Sequence, residues 1–165
     1  MRISIIQHDI DSGDRQATLR EVERLLAGAP PSDLYVLPEM FATGFVMDAP
    51  AVAETEGGAT LGWMKTAAKR LGGAVVGSVA VESGESYVNR LYFVKPDGDV
   101  AYYDKRHLFT YGGEPRNYVP GRSRVVVEYG GVRFLLQVCY DLRFPVWSRN
   151  TGDYDVALYL SLIHI

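Results

Sequence analysis

Cysteine is almost absent: Cys139 is the only one in 165 residues, so no internal disulfide can form and a reducing, cytoplasmic setting is expected. No apolar stretch reaches the roughly 18–20 residues that span a bilayer, which argues against membrane insertion. The opening MRISIIQHDIDSGD turns polar too early to hold the apolar core of a signal peptide. Charge of neither sign collects into a block. Seventeen Lys and Arg stand against twenty Asp and Glu, a net charge of −3, so neither nucleic acid nor anionic lipid is the expected partner. The three histidines, at positions 8, 107 and 164, show no metal-ligand spacing with one cysteine. No Gly-rich phosphate loop occurs, and no organic cofactor is implied. What remains, 47% hydrophobic and 22% charged residues, is the composition of one globular domain.

Along the chain, RISIIQ reads as a strand, and RQATLREVERLLAGA as a helix with Leu19, Val22, Leu25 and Leu26 on one face. DLYVLPE is a second strand, and MFATGFVMDAP reads as loop. TLGWMKTAAKRL places Leu61, Met64, Ala68 and Leu71 opposite its basic residues, and the following Gly-Gly closes it as a C-cap. AVVGSVAVE and YVNRLYFVKPDGDVAYYDK read as strands joined by SGES and PDGD turns, and RVVVEYGGVRFLLQVC repeats the hairpin pattern across its Gly-Gly. PVWSRNTG reads as a short helix opened by Pro145, and DYDVALYL as a last buried strand. The order β-α-β-α-β-β-β-β-β-α-β predicts a mixed α/β sheet protein with helices on at least one face.

Three reactive side chains follow three of these apolar strands: Glu39 after LYVLP, Lys105 after VAYYD, and Cys139 after FLLQV. Taken singly, each has an ordinary reading: a solvated loop acid, a basic loop shared with Arg106 and His107, and a small core thiol. Taken together they have a chemical meaning. A thiol with an ordinary pKa of about 8.5 is mostly protonated at neutral pH, so attack on a carbonyl needs a base, and Glu39 can serve as one. The tetrahedral oxyanion needs donors, which the Lys105 ammonium and the Tyr140 backbone N–H can supply. A Cys–His pairing with His107 lacks a third, orienting group in the sequence. Asp141 and Arg143 read as loop-orienting residues, and Asn89 as a residue fixing a backbone turn. Phe41, Phe45 and Tyr111 either line an acyl pocket or pack against the body of the domain.

LPEMFATGF, YDKRHLF and CYDLRFP together resemble the glutamate, lysine and cysteine signatures of the nitrilase superfamily of carbon–nitrogen hydrolases, in the same order. The longer KRHLF and CYDLRFPVWSRN are most similar to bacterial omega-amidases, which open the side-chain amide of 2-oxo acids such as 2-oxoglutaramate. The resemblance implies a four-layer α-β-β-α sandwich, incomplete at the C-terminus. It implies a small-molecule amide substrate, with Glu39 as general base, Cys139 as nucleophile, Lys105 as oxyanion stabiliser, ammonia as leaving group and a thioester intermediate. Glu114 in FTYGGEPRNYVPG would be the second glutamate that supports the lysine in many members, or else a plain exposed loop residue. Relatives are often dimers, so a homo-oligomer is expected.

Within the same resemblance the substrate stays open between the omega-amide, an N-carbamoyl amino acid, glutamine and a nitrile. A reading of another class is an incomplete, inactive chain that associates through uncovered sheet. It rests on the ending, where a buried strand runs into SLIHI with no covering helix. One codon choice for Leu160–Ile165 spells the end of a common sequencing transposon adaptor. The expectation is therefore one partial hydrolase domain over residues 1–159 and a non-native tail over 160–165.

Overall fold

The structure, a computed structural model, describes residues 1–162. One sheet has the spatial order β1 (Ile3–Ile5), β2 (Leu34–Val36), β3 (Ala74–Ser83), β4 (Ser86–Val94) and β5 (Val100–Asp104). The other has the order β6 (Val126–Tyr129), β7 (Val132–Val138) and β8 (Val156–Leu160). β1, β2 and β3 run parallel, while β3–β4 and β4–β5 are antiparallel. β7 pairs antiparallel with β6 and parallel with β8. The parallel connections need crossovers, and helices α1 (Arg15–Gly28) and α3 (Ala59–Leu71) supply two of them. Two single turns, α2 (Ala49–Val52) and α4 (Pro145–Ser148), complete the helical set among the described residues, apart from 3₁₀ turns.

Local chemistry sets these boundaries. The Asp14 carboxylate accepts from Ala17 N–H at 2.9 Å and caps α1. α3 ends at Gly72 with φ +65°, where any Cβ would be strained. The β6–β7 hairpin turns through Gly130 and Gly131, both at positive φ, so Tyr129 pairs directly with Val132.

Side chains alternate across the first sheet, and each face meets a different partner. Leu19, Val22 and Leu26 of α1, with Met64, Ala67 and Ala68 of α3, pack on Tyr35, Val75, Val79 and Tyr92. On the opposite face Leu34, Val76, Leu91 and Phe93 pack on Phe134, Leu136, Val138 and Leu158 of the second sheet. Helices, sheet and sheet therefore stack in the sequence that an α-β-β-α sandwich requires. Among the described residues no helix is long and apolar enough to cross a membrane.

The element order matches the sequence expectation, with three differences of extent. MFATGFVMDAP leads into α2, which takes Pro50 in its first turn. In PVWSRNTG only Pro145–Ser148 is helical, because Asn150 accepts from Gly152 N–H and so closes a side-chain turn instead. The buried face of α3 is centred on Met64, Ala67 and Ala68, with Leu61 and Leu71 at its margins. The expected break after Tyr159 falls inside β8, whose Leu160 pairs with Val138. Residues 163–165 of the expected tail lie outside the described residues.

Candidate active site

Glu39, Lys105 and Cys139 leave the C-terminal ends of β2, β5 and β7. Beyond β2, Leu37 N–H donates to Val76 O at 2.7 Å and carries the chain along β3 to Glu39. The next residue, Met40, takes φ +48°, and its N–H donates to Ser78 Oγ at 2.9 Å. Lys105 is held through both of its peptide groups: its N–H donates to Asn89 O and its C=O accepts from Gly121 N–H, each at 2.9 Å. Cys139 takes φ +45° and opens a 3₁₀ turn, Cys139–Arg143. A residue with a Cβ in this region pays about 1–2 kcal/mol, so both strained turns need the surrounding contacts to hold them.

Glu39, Lys105, Glu114 and Asn89 are each no more than 3% exposed. Lys105 Nζ donates to Glu39 Oε1 at 2.9 Å and to Glu114 Oε2 and Oε1 at 2.9 and 3.2 Å. The Asn89 amide donates to Glu39 Oε1 at 2.8 Å and to Glu114 Oε1 at 3.4 Å. Phe109 N–H donates to Glu114 Oε2 at 2.5 Å. Lys105 Nζ also lies 5.6 Å from the centre of the Phe45 ring, which stacks on Tyr118. Burial alone would drive the lysine pKa down. The charges of Glu39 and Glu114 and their hydrogen bonds outweigh it and hold the ammonium above its ordinary value.

Cys139 is half-buried. Burial pushes its thiol pKa up and the Glu39 charge pushes the same way, against a hydrogen bond from Ser161 and the Lys105 charge. The Ser161 Oγ to Cys139 Sγ distance is 3.5 Å. The resting sulfur is therefore a protonated thiol beside a carboxylate, and a base is needed before it can attack. Tyr140 N–H lies in the first turn of the 3₁₀ segment, where backbone donors have no acceptor within the turn.

Asp141 ties the thiol turn to the lysine loop. One oxygen accepts from Val138 N–H at 2.9 Å and Tyr103 OH at 2.8 Å; the other accepts from His107 N–H at 2.9 Å and contacts His107 Nδ1 at 2.7 Å. His107 thus has the orienting acid that the sequence did not reveal. Its ring is committed to Asp141 and stacked on Phe144 at 3.8 Å, and the groups acting most on the thiol are Glu39, Ser161 and Lys105.

Glu114 is fully buried, which removes the exposed-loop reading. Asn89 is corrected too: it stands inside β4 with its amide between two carboxylates and fixes no turn. The signal was a polar residue inside the apolar alternation of YVNRLYF, a position where a buried amide must find partners. Phe41 belongs to the helix-side core against Trp63, Phe45 lies by the lysine, and Tyr111 is exposed at the edge of Phe109 and Tyr140. Arg143 is exposed and forms no ion pair among the described residues.

Comparison with known proteins identifies the family. Residues 2–163 match the carbon-nitrogen hydrolase family model. The chain is 46% identical over 163 residues to the omega-amidase YafV of Yersinia enterocolitica, covering 98% of this chain and 62% of the relative. It is 32% identical over 152 residues to the 2-oxoglutaramate amidase of Bacillus subtilis, covering 90% and 59%. The chain thus spans about three fifths of the length of the curated relatives it matches. Among solved structures, the CN-hydrolase superfamily protein XC1258 from Xanthomonas campestris, which carries an arsenic adduct in its active site, superposes with a TM-score of 0.92 at 42% identity, over 97% of this chain and 64% of that one. An amidase mutant from Nesterenkonia sp. AN1, with acrylamide added at its active-site cysteine, superposes with a TM-score of 0.87 at 28% identity, over 98% and 66%. With fold, family signatures and family match in agreement over nearly its whole length, the chain belongs to the carbon-nitrogen hydrolase family, the nitrilase superfamily.

Proposed function

We propose that the protein hydrolyses the terminal amide of a small 2-oxo acid such as 2-oxoglutaramate through a thioester on Cys139. The observation that carries this reading is a half-buried thiol at a strained strand end, hydrogen-bonded by Ser161 and influenced by a buried carboxylate that is itself paired to a buried ammonium. Glu39 takes the thiol proton as Cys139 Sγ attacks the amide carbon. The C=O π electrons move onto oxygen, and Lys105 Nζ and Tyr140 N–H stabilise the resulting oxyanion. Collapse of this intermediate breaks the C–N bond, and the proton held by Glu39 passes to the departing nitrogen, which leaves as ammonia. Water then gives a proton to Glu39 and attacks the thioester. The carboxylic acid departs, and the proton returns to sulfur. Glu114 holds the Lys105 ammonium and touches no reacting atom. None of these steps needs a metal or organic cofactor.

The relatives named omega-amidase and 2-oxoglutaramate amidase support the 2-oxo amide as substrate. The test is ammonia release from 2-oxoglutaramate, glutamine, N-carbamoyl-alanine and a simple nitrile at equal concentration. The expected result is a clear preference for 2-oxoglutaramate; equal or greater turnover of another member of the set overturns the substrate assignment.

The protein acts in the cytoplasm, a setting supported by its lone, functional thiol. It assembles as a homo-oligomer through the segment after the cysteine, where the apolar side chains Leu142, Phe144 and Val146 are exposed. Sedimentation velocity tests this: a dimer is expected, converted to monomer by Val146→Asp, and a monomeric wild type contradicts it.

A further inference from the structure

Glu39 has two carboxylate oxygens, and the cluster treats them differently. Oε1 accepts from Lys105 Nζ at 2.9 Å and from Asn89 Nδ2 at 2.8 Å, whereas neither of these two donors reaches Oε2 and the Cys139 thiol hydrogen-bonds the same carboxylate. A carboxylate oxygen that already receives two strong donors is a poor site for a further proton, and its partner is the better one. We propose that Asn89 is a positioning residue which, with Lys105, locks the Glu39 carboxylate so that Oε2 is the atom that receives the Cys139 proton. This rests on the amidase reading for its kinetic consequence but not for its geometric one.

Asn89 has the marks of a residue kept for its donor end. It is fully buried in β4, and its carbonyl Oδ1 has no partner. An apolar residue of similar size would relieve that unmatched acceptor, so packing alone does not account for an amide here. The same Nδ2 reaches Glu114 Oε1 at 3.4 Å, and the Asn89 backbone C=O accepts from Lys105 N–H at 2.9 Å. One residue thereby sets the base, the second carboxylate and the start of the lysine loop in a single register.

The lysine alone does not fix the carboxylate. A single donor on Oε1 leaves the plane of Glu39 free to rotate about the bond to its Cδ, so that either oxygen can face the thiol. Two donors, one from β4 and one from the loop just beyond β5, define the plane. The charged and titratable groups acting at this point are Lys105 beyond β5, Glu114 in the 3₁₀ turn after it, Tyr118, which feels the charge of both carboxylates, and Cys139 beyond β7. None of these groups is itself replaced by substitution at position 89.

The test compares Asn89→Leu, which keeps the bulk and removes the donor, with Asn89→Ser, which loses bulk and keeps a donor. Turnover follows hydrogen bonding and stability follows packing, so the two variants should rank in opposite orders. Asn89→Leu should lower kcat about 10- to 100-fold with little change in KM, the size expected for losing a hydrogen bond to a charged group. Asn89→Ser should recover part of that loss although its cavity makes it the less stable of the two. Turnover that tracks stability in both variants, or wild-type kcat in Asn89→Leu, overturns the proposal.

A substrate-independent arm separates this from failure of the amidase reading. In a crystal structure of the Cys139→Ser variant, Glu39 Oε2 should face the hydroxyl at position 139, with Oε1 held by Nδ2 and Nζ. In the Asn89→Leu, Cys139→Ser double variant the carboxylate plane should turn or split into two orientations. Oε1 facing position 139, or an unmoved carboxylate in the double variant, contradicts the proposal even if the protein hydrolyses the amide well. The predicted geometry without amide hydrolysis leaves the assignment of Oε2 standing and removes the amidase reading instead. Should Asn89→Leu fail to fold, Asn89→Ser and Asn89→Ala carry the same comparison, with the donor-bearing serine expected to turn over faster.

Discussion

Around Glu39, Lys105 and Glu114 the protein positions its groups by charge, whereas around Cys139 it uses the backbone. The acid and ammonium side is closed, with both carboxylates bonded to one ammonium and their remaining donors supplied by Asn89 and Phe109 N–H. The thiol side is half-buried, stands at φ +45°, and is held through its neighbours: Val138 N–H and the lysine loop both converge on Asp141. In the proposed mechanism buried charge gives rigidity where the proton and the oxyanion would be handled, and the strained turn leaves the Cys139 thiol accessible. Substitutions on the two sides should therefore fail in different ways.

The largest expected effect is chemical, on the thiol side. Cys139→Ala should reduce ammonia release by roughly 10⁴-fold or more while leaving the denaturation midpoint near wild type, because the side chain has few packing obligations. A residual rate within tenfold of wild type would show that another group does the chemistry. On the charged side the expected effect is on both folding and activity. Lys105→Met leaves Glu39 and Glu114 buried without a cation and should cost about 3–5 kcal/mol in urea denaturation. Adding Glu114→Gln should recover part of that stability but none of the activity. If the single variant is as stable as wild type, the carboxylates are not both charged in the native state.

Asp141→Asn should fall between these. It keeps the shape but turns an N–H₂ group toward at least one of the donors from Val138, Tyr103 and His107, at about 1–3 kcal/mol. Because the fault lies in the turn that carries Cys139, kcat should drop more than KM rises. Equal stability and equal kcat would make the clamp dispensable.

The smallest effect is the response to alkali. Lys105 and Cys139 both have native pKa values raised above their ordinary ones. A raised native pKa means that the folded state binds the proton more tightly, so stability is complete below the unfolded pKa and declines as pH rises through the native one. The thiol contribution should begin to fade above about pH 8.5 and the lysine contribution above about pH 10.4. Cys139→Ala should flatten the first part of this decline in urea midpoints measured from pH 7 to 10. A decline identical to wild type would mean that the thiol is not the group responsible.

The two sides also differed in how far they were legible in the sequence. Glu39, Lys105 and Cys139 stand out because each follows an apolar strand and carries a reactive group where α/β sheets gather their chemistry. Glu114 and Asn89 do not, since Glu114 reaches the site from a short 3₁₀ turn within the connection after β5, and asparagine is so common in turns that its place inside β4 runs against its local preference. Asp141 was legible as an orienting residue, but its partners His107 and Tyr103 come from a distant loop and strand that only the folded chain brings near. The partition into five and three strands was hidden for the same reason: β7 takes its parallel neighbour β8 from across a long connection, and no local pattern encodes that pairing.

The central claim is that Cys139 is acylated with the help of Glu39. Protein mixed with 2-oxoglutaramate, quenched within milliseconds and digested should carry the acyl mass on the Cys139 peptide, with one equivalent of ammonia released in the burst. Glu39→Gln should show neither the adduct nor the burst. Steady ammonia release with no adduct on Cys139, or full acylation in the Glu39→Gln variant, would contradict it.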